Sequence, residues 1–283
     1  MGKQRRTVTF PDFLYFCALK NQLMRYFIHL AYNGSAFFGW QIQPEHSSVQ
    51  ETLETCLSLL LREERVAVTG CGRTDTGVHA SDFYAHFDIE KSFTPDECRQ
   101  LVHKLNNFLP KEIVIFDLFE VEPDQHARFD AESRTYQYHI CTCKNPFKLQ
   151  FAYHFHRELD VEKMNEAAAL LLQNEDFTSF SKVHTQVNNF ICHVTEAHWD
   201  RVDDELIFTV SANRFLRNMV RALVGTLLEV GTDKISVEGF QDIINQKDRC
   251  AARTSAPAHA LFLTKVRYPF LGNREQKLVI SNE

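Results

Sequence analysis

The chain has 283 residues, enough for one large domain or two modest ones with full cores. Hydrophobic residues make up 44% and charged residues 24%, ordinary for a globular protein, and a net charge of -6 excludes a uniformly basic nucleic-acid binder while leaving room for a local basic face. No apolar run approaches the roughly 20 residues of a membrane span, and the eight cysteines form no C-x-x-C pair, which speaks against a disulfide framework or structural zinc and for a reducing, cytoplasmic setting.

Residues 1–23 carry a short apolar patch behind Lys3, Arg5 and Arg6, interrupted upstream by Pro11 and Asp12 and without a small-residue cleavage site. They read as an appendage outside the fold. From Arg25, Tyr26, Ile28, Leu30 and Tyr32 alternate with Phe27, His29 and Ala31, a strand that Asn33 and Gly34 end. Ser48 and Glu51 make a capping box for a helix with Val49, Leu53, Cys56, Leu57 and Leu60 at helical spacing. A short strand follows at Val66 to Val68, and a second alternates through Phe83, Ala85 and Phe87. Thr94 and Glu97 cap the next helix with Pro95 at its first position, and Ile113 to Phe116 is another strand.

That order is β-α-β-β-α-β, the ferredoxin-like split unit. The second half repeats it in element order. Arg134 to Cys141 alternates with Tyr136, Tyr138 and Ile140 on one face, and Asp160 caps a helix bearing Met164, Ala168, Leu171 and Leu172. A hairpin through Asp203 and Asp204 joins strands at Ile191 to Trp199 and Leu206 to Val210. Asn213 is the expected cap of a helix with Leu216, Met219, Val220, Leu223, Val224 and Leu227, Ser236 starts a short extra helix, and Leu261 to Lys265 is the final strand. The expectation is an α+β protein of two ferredoxin-like halves with largely antiparallel sheets, residues 24–124 and 125–271, meeting across a cleft, with residues 272–283 as a tail.

One loop stands out, because no packing rule requires it. Residues 71–80 crowd Gly72, Gly77, Arg73, Asp75 and His79 between two strands whose pairing fixes the loop's ends, a good mount for a reactive side chain. An aspartate in a turn ordinarily folds its own backbone. Asp75, Thr76 and Gly77 also spell the aspartic-protease triplet, but that chemistry needs two carboxylates sharing a proton. No second such triplet occurs, and Arg73 beside the carboxylate opposes protonation.

Two basic sets accompany this loop. Arg214, Arg217 and Arg221 recur at helical spacing around Phe215, on a helix apolar over most of its circumference, where arginines line clefts more often than open water. Gln125, His126, Ala127, Arg128 and Phe129 place another arginine beside an aromatic at the domain boundary. Arginine forks grip phosphate, and aromatic faces stack bases. Tyr136, on the strand just after that boundary, is by itself a packing residue.

Taken together, these residues resemble the tRNA pseudouridine synthase A family over nearly the whole chain. The likeness rests on Tyr32-Asn33-Gly34, Gly39-Trp40-Gln41, Ser48 to Glu51, Gly72-Arg73-Thr74-Asp75, His126 to Phe129, Tyr136-Gln137-Tyr138, Asp176 to Phe180, Met219-Val220-Arg221, Val224-Gly225 and Ala256-Pro257, in that order. It implies that Asp75 is the catalytic aspartate, Arg73 the arginine beside it, Tyr136 the tyrosine touching the target base, and Arg221 the arginine facing the aspartate. Residues Gln125 to Phe129, and His184, Thr185, Gln186, Val187 and Asn188, match tRNA-contacting segments. It implies a homodimer without metal or organic cofactor that isomerises uridines 38 to 40 of the tRNA anticodon stem-loop. Thr76 departs from the family's usual Ala and Ala260 from a common Gly, and the second tRNA segment is less basic than in some relatives.

Pseudouridine formation breaks the N1–C1′ bond, turns the uracil, joins C5 to C1′ and releases the C5 proton. A carboxylate suits the first step, by attack on C6, attack on C1′ or assistance to elimination at C2′, and the residues leave these open. Arg73 or Arg221 is expected to hold Asp75 charged, and Tyr136 to stack on the uracil and assist loss of the C5 proton. A tRNA-binding protein without catalysis is the alternative; it keeps the arginines and has no need of Asp75.

Overall fold

The computed structural model describes residues 23–182 and 189–272. Most of the expected N-terminal appendage, the segment His184 to Asn188 and nearly all of the tail lie outside the described residues.

The first half runs β1 (Met24–Tyr32), α1 (Val49–Leu61), β2 (Val68–Gly70), β3 (His79–Ile89), α2 (Pro95–Phe108) and β4 (Ile113–Val121). At α1 Ser48 caps by accepting from the Glu51 amide, which is half of the expected box, and at α2 Thr94 and Glu97 make a reciprocal capping box behind Pro95. The second half runs β5 (Ser133–Cys141), β6 (Tyr153–His154), α3 (Val161–Ala169), β7 (Val194–Val202), β8 (Glu205–Ala212), α4 (Met219–Gly231), α5 (Val237–Gln246) and β9 (Leu261–Arg267). Asp160 caps α3 by accepting from the Lys163 amide. Among the described residues no helix is long and apolar enough to cross a membrane.

The expected pair of sheets is a single sheet of mixed, mostly antiparallel pairing. Its order is β4-β1-β3-β9-β5-β8-β7, with β2 on β3 and β6 on β5. In each half the fourth strand lies beside the first and the first beside the third, with the second beyond. The seam is a parallel pairing of β3 with β9, His79 opposite Phe262 and Ala80 opposite Leu263. The reason is strand length. β2 covers only Ala85 to Phe87 of β3, so the first residues of β3 present unpaired backbone groups for β9 to use.

Two core clusters lie along the sheet, and residues cross between the halves, with Leu263, Val266 and Tyr268 in the first cluster and Val78 in the second. In the first, Leu53 and Leu57 of α1 and Leu101 and Leu105 of α2 bury against Tyr26, Ile28, Leu30 and Phe83. In the second, Met164, Leu223, Val224 and Leu227 bury against Tyr138, Ile140, Phe208 and Val210. Tyr136 packs on both. The simple alternation read for β1 is incomplete, because Phe27 on the other side is also buried, under Tyr268 and Phe270.

Candidate active site

The loop between β2 and β3 opens at the seam. Its inner end is anchored by the Cys71 amide donating to the Tyr84 carbonyl, 2.7 Å. Residues 32–40 back it: the Tyr32 hydroxyl meets Thr74 Oγ1 at 2.9 Å, and the Gly77 amide donates to the Phe37 carbonyl at 3.4 Å. The Val78 amide closes a turn on the Asp75 carbonyl at 3.1 Å, so Asp75 does fold its own loop, but through the backbone. Its carboxylate is free for other partners. Of the two loop glycines, Gly77 uses the left-handed region, at φ 79°, and Gly72 does not.

Those partners come from the second half. Arg221 Nη1 donates to Asp75 Oδ2 at 3.2 Å, and Arg217 Nε lies 3.9 Å from Oδ1. Arg221 is itself held, its Nε donating to the Ala256 carbonyl at 2.7 Å while its own carbonyl accepts from the Ala256 amide at 2.9 Å. Arg73 forms no ion pair with Asp75. Its charge acts instead on Arg128, whose guanidinium is lowered from its ordinary value by burial first and then by the charges of Arg73, Arg134 and Arg214. Of the two arginines expected beside the aspartate, Arg221 pairs with it and Arg73 does not, and Arg217 is a second cation nearby.

The three arginines do not share one helix. Helix α4 begins at Met219 behind Asn218, which adopts φ 66°, so Arg214 and Arg217 lie in the approach to it. Asn213 is no cap because it is used elsewhere. Its side chain accepts from the His193 amide at 2.9 Å and its own amide donates to the His193 carbonyl at 3.2 Å, which ties it to the start of β7. Bending the arginines off the helix lets Arg217 and Arg221 reach the same carboxylate.

Tyr136 stands beside them, edge-on to Phe215 with centroids 5.1 Å apart. Burial pushes its phenol well above the ordinary range, so the group is neutral across working pH. The segment 125–130 is firmly built. Arg25 donates to the Gln125 carbonyl at 2.9 Å, the Ala127 amide donates to His86 Nδ1 at 3.1 Å, and His126 accepts from the Arg128 and Phe129 amides. Phe129 is 73% exposed, with the Arg128 guanidinium 5.6 Å from its ring centroid and the His126 ring tilted against it at 4.3 Å. The second expected RNA segment, His184 to Asn188, lies outside the described residues.

Two residues have a part here that their sequence positions alone did not reveal. His79 accepts from the Gly34 amide at 3.1 Å through Nδ1 and meets the His259 carbonyl at 3.0 Å through Nε2, which fixes the proton on Nε2. Arg134, two residues before Tyr136, lies on the same face of β5 and donates to four backbone carbonyls. Its spacing from Tyr136 was the available signal.

The geometry is a partly exposed carboxylate held by two arginines, flanked by a neutral tyrosine and a rim of cations with an exposed aromatic. The chain is similar in sequence to known proteins. A family model described as tRNA pseudouridine synthase matches residues 167–269, which excludes the Asp75 loop. Whole-chain similarity includes it. A protein named tRNA pseudouridine synthase A from Bacteroides thetaiotaomicron is 53% identical over 250 residues, covering 87% of this chain and 91% of the relative. Proteins of the same name from Bacteroides fragilis and Parabacteroides distasonis are 52% and 50% identical, each over 87% of this chain and 97% of its own length.

Proposed function

We infer that this chain, which belongs to the tRNA pseudouridine synthase A family, is an isomerase that converts uridine to pseudouridine in tRNA, with Asp75 as the reacting carboxylate. The target we propose is uridine at positions 38 to 40 of the anticodon stem-loop, and the working form a homodimer, both on the strength of the family resemblance. The observation that carries the role of Asp75 is its pairing. It is a carboxylate at the mouth of the seam whose two partners, Arg217 and Arg221, come from the other half of the chain, and no packing role needs it there.

The chemistry follows from the neighbours. The target base must leave its stack, which costs roughly a few kcal/mol. Stacking on an aromatic face returns about 1–3 kcal/mol per base. Tyr136 offers such a contact beside the carboxylate, and Phe129 a second face for a neighbouring base. Arg73, Arg128, Arg214 and Arg217 supply phosphate contacts for the remainder, so binding weakens as salt rises. Arg221 pairs with the Asp75 carboxylate and aims it. Asp75 then acts at C6, at C1′ or through C2′, the base turns, and C5 joins C1′. The C5 proton leaves and N1 gains one, so atoms balance without oxidant, reductant or water.

The test is to incubate wild type and Asp75→Asn with unmodified tRNA and map pseudouridine. Wild type is expected to modify the anticodon stem-loop and the variant to bind tRNA without modifying it. An active Asp75→Asn refutes the assignment of the carboxylate; modification elsewhere in the tRNA refutes the proposed target.

A further inference from the structure

Arg134 makes an unusual use of its guanidinium. Nη1 donates to the carbonyls of Ala131 and Asn213, both at 2.8 Å. Nη2 donates to the carbonyls of Cys71 at 2.8 Å and Arg128 at 2.6 Å. These four acceptors belong to three separate pieces of chain. Cys71 opens the loop that carries Asp75, Arg128 and Ala131 belong to the segment with Phe129, and Asn213 precedes Arg214, Arg217 and the start of α4 at Met219. Among the described residues no carboxylate forms an ion pair with Arg134.

Neutral carbonyl dipoles orient a guanidinium without cancelling its charge, and the planar fork suits several acceptors at once, where an ammonium cannot span them. Arg134 also lies beside Tyr136, two residues along the same strand face. Its charge therefore acts on the Tyr136 phenol and, together with Arg73 and Arg214, on the Arg128 guanidinium.

We propose that Arg134 is the positioning residue of the reaction: it locks the Asp75 loop, the Arg128–Phe129 segment and the Arg214–Arg217 approach into one arrangement around the target base. The inference rests on Asp75 being the reacting group. It goes beyond that reading by assigning the alignment of three segments to a single side chain that reaches the reacting atoms only through them. Its consequence is a split. Losing the fork loosens the mutual placement of groups that are all still present, so turnover of bound tRNA suffers more than its capture. A displacement of about 1 Å at a reacting centre can cost on the order of 100-fold.

The experiment uses Arg134→Lys and Arg134→Ala in the full chain, with unmodified tRNA transcript tritiated at uridine C5. Tritium release is followed in single turnover with enzyme saturating, tRNA binding by filter retention, and folding by thermal denaturation. Arg134→Lys is expected to fold, to bind tRNA within about threefold of wild type and to release tritium roughly 100-fold more slowly. Guanidinium is expected to restore part of the rate to Arg134→Ala, and ammonium at equal ionic strength is not. The proposal is overturned if Arg134→Lys turns over within about threefold of wild type, if its loss is wholly in tRNA affinity, or if it no longer folds, which would make Arg134 a core residue. Equal effects of the two salts overturn it as well. Asp75→Asn in the same assay separates the two readings: if that variant releases tritium, the assignment of Asp75 fails whatever Arg134 does.

Discussion

Replacing Arg221 by Met removes the cation nearest the Asp75 carboxylate and keeps most of the apolar stem. At 3.2 Å the attraction is about 5 kcal/mol for an effective dielectric near 20. Several effects reduce it. The Arg221 and Asp75 side chains keep 21% and 24% of their exposure, Arg217 remains 3.9 Å away, and desolvation of both charges offsets part of the gain. A net loss of about 1–3 kcal/mol in holding and aiming the carboxylate corresponds to a rate lower by about 5- to 150-fold. Arg221→Lys separates charge from geometry, because lysine cannot grip the Ala256 carbonyl and the carboxylate together, and it is expected to fall between Met and wild type. Single-turnover tritium release from C5-labelled tRNA reads the rate, with filter binding and thermal unfolding alongside. Arg221→Met within about twofold of wild type, or a loss fully explained by weaker tRNA binding, would refute the reasoning.

Two further outcomes follow from the same structure. Gly39 has φ 86°, and a Cβ built there would lie 2.4 Å from the Thr74 carbonyl oxygen, so Gly39→Ala combines an unfavourable backbone angle with a push on the Asp75 loop. It is expected to cost about 2–4 kcal/mol by denaturant titration, and a change under about 1 kcal/mol would show that the loop yields freely. Burial, then the charges of Arg25 and His126, lower His86 from 6.5 to about 4, with Asp88 and Asp130 acting the other way. Between those values the unfolded chain binds a proton that the folded chain refuses, so this contribution to stability is full above pH 6.5 and is lost as pH falls toward 4. Protonation also forfeits the bond from the Ala127 amide. His86→Gln should therefore show a shallower decline of melting temperature over that interval; parallel profiles would remove His86 from the account.

The elements themselves were legible because their signals are local. The Ser48 and Thr94 caps, Pro95, and the alternation of Tyr136, Tyr138 and Ile140 each act within a few residues, and the structure follows them. The failures are of longer range. Asn213 has the right chemistry for a cap, but pairing with His193 outweighs it, and the helix starts at Met219. The single sheet depends on β2 being too short to cover β3, a property that appears only once register is fixed. Arg134 looked like any polar residue at the start of a strand, since its acceptors are backbone carbonyls that no side-chain pattern records.

The partner of Asp75 shows why a site of this kind resists reading from spacing. Arg73 lies two residues away and forms no ion pair with Asp75, while Arg221, which only the family resemblance singled out as facing the aspartate, lies 146 positions on and makes the contact. What brings Arg221 there is the seam, and the seam pairs only His79 with Phe262 and Ala80 with Leu263. Two pairs are a thin hold for the alignment of a reacting group. His79 strengthens it, with one ring nitrogen on the Gly34 amide of the first half and the other on the His259 carbonyl of the second. Burial lowers its pKa and so preserves the neutral ring that both bonds require. The loop's histidine, four residues after its aspartate, therefore belongs to the alignment of the carboxylate as much as to the fold.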